Sequence, residues 1–115
     1  MTITRDQLHS TDFSDLTTGE RIEPIHPGEV LREDFLAPLK MSSNALAMAL
    51  HVPATRINDI VRCRRAISPE TALRLARYFG TTPEFWANLQ ATYDLRTVWA
   101  NDGVRIAHEV HPLAA

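Results

Sequence analysis

No disulfide can form within this chain, because Cys63 is its one cysteine and a bridge needs two. No Cys or His stands at zinc-ligand spacing from it, so Cys63 reads as an unpaired thiol, in keeping with a reducing compartment. Also missing is any apolar run near the roughly 18 residues that a membrane span requires. The amino terminus, Met1-Thr2-Ile3-Thr4-Arg5-Asp6, lacks the hydrophobic segment of a signal peptide. A cytoplasmic protein with no membrane association is expected. Catalytic patterns are lacking too: there is no phosphate-binding glycine loop and no nucleophile elbow. The five histidines fit no metal-site spacing. His108-Glu109-Val110-His111 sets two of them three apart, whereas the zinc-protease helix needs H-E-x-x-H. Neither an enzyme nor a cofactor or metal site is expected.

An excess of positive charge is absent as well, since the net charge is −2, which at first suits a nucleic-acid binder poorly. Binding depends on the local patch rather than the sum, however. Residues 1–35 hold eight acids and three bases, net −5, whereas residues 36–115 hold nine bases and six acids, net +3. The bases of the second part concentrate between Arg56 and Arg77. What remains is the composition of a folded protein: 44% hydrophobic and 23% charged residues, too apolar for a disordered chain. A length of 115 residues suffices for one domain with its own core and not for two.

Residues 1–25 mix Ser, Thr, Asp and isolated apolar residues without a sustained period and read as a weakly structured acidic arm. His26-Pro27-Gly28-Glu29 then opens a helix of about residues 27–37, with Pro27 in the first turn, Glu29 at the positive end of the dipole, and Val30, Leu31 and Phe35 on an apolar side. Ser42 or Ser43 caps a second helix, in which Leu46, Ala49 and Leu50 recur at helical spacing. His51-Val52-Pro53 breaks it, and a third helix covers roughly 53–62 with Pro53 in its first turn. Ser68-Pro69-Glu70 starts a fourth helix that stops at Gly80. Thr82-Pro83-Glu84 starts a longer fifth, striped by Trp86, Leu89 and Tyr93. These boundaries define a domain of residues 26–100, followed by a tail of residues 101–115 in which a short helix after Gly103 is expected.

The third helix has two sides. Ile57, Ile60 and Val61 form an apolar face; Thr55, Asn58, Asp59 and Arg62 follow i, i+3, i+4, i+7 on the other, with Arg56 at the flank. A helix backed by a core on one side and carrying hydrogen-bonding groups on the other suits the major groove. Arg62, Arg64 and Arg65 can neutralise phosphates, and Ser43 and Asn44 at the start of the second helix can add hydroxyl, amide and backbone N–H contacts to a phosphate. A polar face alone is usually solvated surface. The tight turn, the small Ala47 where two helices cross, and the basic cluster after the third helix together favour a helix-turn-helix. Arg74 and Arg77 read as an exposed salt-bridging face outside the site. Phe85, Leu95 and Trp99 are surplus apolar groups on the fifth helix, suited to burial across a twofold axis.

The run His26-Pro27-Gly28-Glu29-Val30-Leu31-Arg32-Glu33-Asp34-Phe35-Leu36 is followed by Leu50-His51-Val52-Pro53, Arg56-Ile57-Asn58-Asp59-Ile60-Val61, Arg64-Arg65-Ala66-Ile67-Ser68 and Thr71-Ala72-Leu73-Arg74-Leu75. With Phe79-Gly80-Thr81-Thr82-Pro83-Glu84-Phe85-Trp86-Ala87-Asn88-Leu89-Gln90, this pattern resembles HigA-type antitoxins of toxin–antitoxin modules, within the Xre/Cro-like helix-turn-helix family, over about residues 26–96. The resemblance implies an all-α, five-helix, lambda-repressor-like domain and a homodimer that represses its own operon. It also implies a protein partner, a HigB/RelE-like toxin that cleaves mRNA. It supports DNA contact by Thr55, Arg56, Asn58, Asp59 and Arg62, and phosphate contact by Ser43, Asn44, Arg64 and Arg65. Two positions depart from the family pattern: His51 and Cys63 stand where glycine is common, so a left-handed backbone is expected at non-glycine residues. Two other readings stay open, a stand-alone regulator of the same family without a toxin and a protein-interaction module whose third helix meets a protein.

Overall fold

The computed structural model describes residues 23–114; the expectation of a weakly structured arm falls, for residues 1–22, outside the described residues. Among the described residues the chain is all helical, with five helices. The first, α1, joins three consecutive segments, Pro27–Val30, Leu31–Leu36 and Ala37–Leu39, of which the middle one is a π-helix. It is followed by α2 (Ser43–Leu50), α3 (Ala54–Val61), α4 (Pro69–Phe79) and α5 (Pro83–Glu109).

Each start has a local cause. The neutral His26 ring caps α1, its Nδ1 accepting from the Gly28 N–H at 2.9 Å. Ser42 caps α2 through Ala45 N at 3.0 Å, Ser68 caps α4 through Thr71 N at 3.2 Å, and Thr82 caps α5 through Phe85 N at 3.1 Å. Each of these side chains satisfies an amide that the helix itself leaves unpaired. Pro53 takes a different place from the one its sequence context suggests. It is the extended residue before α3 (φ −61°, ψ 143°), so the helix begins at Ala54. Nor is α1 a uniform helix ending near residue 37. The wider i to i+5 repeat turns Leu31 and Leu36 onto one buried side, where an α-helix would hold them about 140° apart.

Three helices stop in left-handed residues. Gly80 (φ 74°) ends α4, His51 (φ 60°) ends α2 and Lys40 (φ 54°) ends α1. Cys63 (φ 62°), two residues past α3, is left-handed as well. Thus both positions at which glycine was expected adopt the conformation that favours glycine.

The core joins all five helices: Leu31 and Leu36 of α1, Leu46, Ala47 and Leu50 of α2, Ile57 and Ile60 of α3, Ala72, Leu75 and Ala76 of α4, and Trp86 of α5. Phe35 packs tilted against Phe79 and Trp86, with ring centroids 4.9 and 5.0 Å apart. Gln90, buried on α5, accepts from the amide of Ile67 at 2.8 Å and donates to Asp94 at 2.9 Å, which pins the loop after α3 to the last helix. That helix passes through Gly103, which is covered by the Trp99 ring, and continues to Glu109, so residues 101–109 belong to α5 and form no separate short helix.

Candidate nucleic-acid interface

The side of α3 that faces the core is held from two directions. Its apolar residues Ile57 and Ile60 are buried. Behind them α1 comes so close that a Cβ on Gly28 would stand 1.7 Å from the carbonyl oxygen of Ile60. The same helix supplies Arg32, whose Nη1 donates to the carbonyl of Val61 at 2.6 Å. A cation therefore sits on a free carbonyl at the negative end of α3, the position the helix dipole favours.

The outward side carries the polar residues. Thr55 and Arg62 are exposed, and Asn58 and Asp59 are half-buried. Asn58 is fixed by the start of α2: Ser43 Oγ donates to its Oδ1 at 2.5 Å, and its Nδ2 donates to Asn44 Oδ1 at 3.3 Å. Three residues singled out from sequence, on two helices joined by the turn at His51, thus form one hydrogen-bonded group. The Asn58 amide still has a second N–H and a second lone pair to offer outward.

Arg56 lies apart from this group and turns toward α4. Its Nη1 donates to Glu70 Oε1 at 3.1 Å, and Arg74 donates from Nη2 to the other carboxylate oxygen at 3.2 Å. The Glu70 carboxyl is held below its ordinary pKa, first by the hydrogen bond from Arg74 and then by that from Arg56. Arg74 also donates to the carbonyl of Leu50, at 2.8 Å. Arg64 and Arg65 are exposed in the loop past Cys63, outside the Asn58 group. Sequence reading missed Glu70 and Arg32. Glu70 and Arg74 stand at i, i+4, a spacing that signals an ion pair; the contacts of Glu70 with Arg56 and of Arg32 with Val61 are tertiary and leave no local pattern. Among the described residues, no helix is long and apolar enough to cross a membrane, and no group of three His, Cys, Asp or Glu is placed to hold a metal ion.

A helix-turn-helix family model matches residues 31–86. The antitoxin HigA of Pseudomonas aeruginosa, whose structure was solved with the higBA promoter, is 53% identical, superposes with a TM-score of 0.77, and matches 79% of this chain and 99% of that one. The chain belongs to the HigA-type antitoxins of the Xre-like helix-turn-helix family. A second member, antitoxin GraA in complex with its operator, is 47% identical over 82% of this chain and 95% of its own, with a TM-score of 0.78. Antitoxin HigA-1 of Vibrio cholerae is 38% identical over 72 residues, 63% of this chain and 68% of that protein. The five-helix body described above is thus the HigA-type fold, and the residues gathered on α2 and α3 lie within the helix-turn-helix match.

Proposed function

We propose that this HigA-type chain is an antitoxin that binds its own operator DNA, represses transcription of its module, and neutralises a HigB/RelE-like mRNA-cleaving toxin. The observation that carries the DNA-binding part is Asn58, held by Ser43 and Asn44 on the outward side of a helix whose other side is locked in the core. Two relatives of this fold were solved with promoter or operator DNA, which supports the same reading here. In it, the five-helix body from α1 to the end of α5 at Glu109 is the DNA-binding unit. Thr55, Arg56, Asn58, Asp59 and Arg62 face base edges, Asp59 as an acceptor for a cytosine amino group. Ser43, Asn44, Arg64 and Arg65 meet phosphates. The role is binding, not catalysis, and its place is the cytoplasm.

A twofold dimer fits the exposed apolar side chains that share one face of α5, among them Leu95, Val98 and Ile106, because helix-turn-helix proteins pair two half-sites by pairing two copies. The toxin rests on the family alone. Co-expression with a small toxin-like frame beside this one tests it: growth arrest that this chain does not relieve removes that part of the reading.

Salt-dependent binding to the DNA upstream of the coding frame tests the DNA part. Affinity should fall steeply and linearly in log–log form as phosphates are neutralised. Arg65→Ala should weaken every sequence alike. Asn58→Ala should relax base preference at a cost of about 1–3 kcal/mol. Absence of binding at low salt refutes the reading.

A further inference from the structure

Glu70 opens α4 opposite the reading helix, and its carboxylate is divided between two arginines. Oε1 accepts from Arg56 and Oε2 from Arg74, which in turn donates to the carbonyl of Leu50, the last residue of α2. One side-chain relay therefore ties α3, α4 and the end of α2 together. A guanidinium is a planar fork of five N–H donors. With Nη1 of Arg56 on Glu70, the edge formed by Nε and Nη2 has no partner among the described residues. The Arg56 side chain is 27% exposed and that of Glu70 59%, so the pair lies at the surface beside the polar face of α3.

An unpaired surface arginine gains from any phosphate, whatever the sequence. An arginine that already shares a carboxylate gains less, because moving onto a phosphate exchanges one anion for another. Its side edge still matches two acceptors in a row, the pattern that guanine presents through O6 and N7 in the major groove. Resting on the DNA-binding reading above, we propose that Glu70 is a specificity-determining positioning residue. It holds Arg56 with the Nε–Nη2 edge outward, so that Arg56 selects a paired acceptor on a base over a lone phosphate.

The test uses the full chain, a duplex of the upstream DNA, and a shuffled duplex of equal composition. It compares wild type, Glu70→Ala, Glu70→Gln, Arg56→Ala and the double variant Arg56→Ala/Glu70→Ala. Glu70→Ala should lower the preference for upstream over shuffled DNA by about tenfold, within the range of coupling between contacting residues, chiefly by tightening binding to the shuffled duplex. Both Glu70 variants lose the negative charge, but Gln keeps the Oε1 acceptor, so Glu70→Gln should retain more of the preference than Glu70→Ala. In the Arg56→Ala background, Glu70→Ala should change the preference no further. An unchanged preference in Glu70→Ala, equal losses in the Ala and Gln variants, or a loss that persists without Arg56 overturns the assignment while DNA binding stands. A wild type with no preference for the upstream duplex overturns the DNA-binding reading itself, and this assignment with it.

Discussion

Replacing Gly28 with alanine sets two effects of opposite sign against each other. Alanine is the better helix former by up to about 1 kcal/mol, and on that ground the variant gains stability. The Cβ, however, lands 1.7 Å from the carbonyl oxygen of Ile60 and 2.7 Å from its carbon. A carbon and an oxygen rest at about 3.3–3.6 Å, so α1 must retreat by roughly 1.5–2 Å. The obstacle is backbone, and no rotamer change relieves it. Overpacking of this kind costs about 1–3 kcal/mol. The retreat also stretches the 2.6 Å contact of Arg32 with Val61, a hydrogen bond from a charged donor worth about 1.5 kcal/mol at the low end, where its exposure puts it. With the full gain in propensity subtracted, the net loss is about 1.5–3.5 kcal/mol. Urea denaturation measures it as a lower midpoint at unchanged slope. A Gly28→Ala variant as stable as the wild type, or more so, refutes the close approach of α1 to α3.

Two further substitutions test the left-handed residues. Cys63→Gly relieves a non-glycine residue at φ 62° and should stabilise the fold by about 0.5–1 kcal/mol after the entropy of glycine is counted; Gly80→Ala, at φ 74°, should destabilise it by about 1 kcal/mol. Thermal melts decide both, and a loss in Cys63→Gly speaks against strain at that residue. His26 gives a pH dependence. Burial lowers its pKa below 6.5, outweighing the upward pull of Asp94, and the neutral ring is the one that caps Gly28. Below pH 6.5 the unfolded chain therefore binds more protons than the folded one, so this contribution is whole above that pH and is lost as pH falls through the lowered folded value. His26→Asn keeps a cap and should flatten that limb of the stability profile, and a slope unchanged by the substitution assigns it to another group.

Much of the fold was legible because its punctuation is local. Ser42, Ser68 and Thr82 act on amides three residues ahead, and Gly80 stops α4 by its own backbone, so a short window of sequence holds the whole cause. The same holds for the two sides of α3, which helical spacing separates without reference to any neighbour. The π stretch of α1 was not legible, because it answers to packing: the extra residue per turn is what places both Leu31 and Leu36 in the core. Pro53 shifted from the first turn to the cap for a similar reason, its ring fitting either place by sequence. At the candidate site, the types of residue and their helix were readable, whereas their partners were not. Asn58 meets Ser43 and Asn44 from 15 and 14 residues away, and Arg56 meets Glu70 from 14. Those distances along the chain are bridged only by the turn between helices and the packing of α4.

The last helix has a mechanical consequence. Its 27 residues make a rod of about 40 Å, most of the 53 Å long dimension of the described chain, anchored near one end by Trp86 and by the grip of Gln90 on Ile67. A tilt of about 5° at the anchored end sweeps the other through about 3.5 Å. The rod therefore magnifies small changes of angle at its base into displacements of atomic size at its far turns. A force on its far turns acts on the Trp86 and Gln90 anchorage through a long lever arm, and the stiffness of that anchorage sets how far the rod yields.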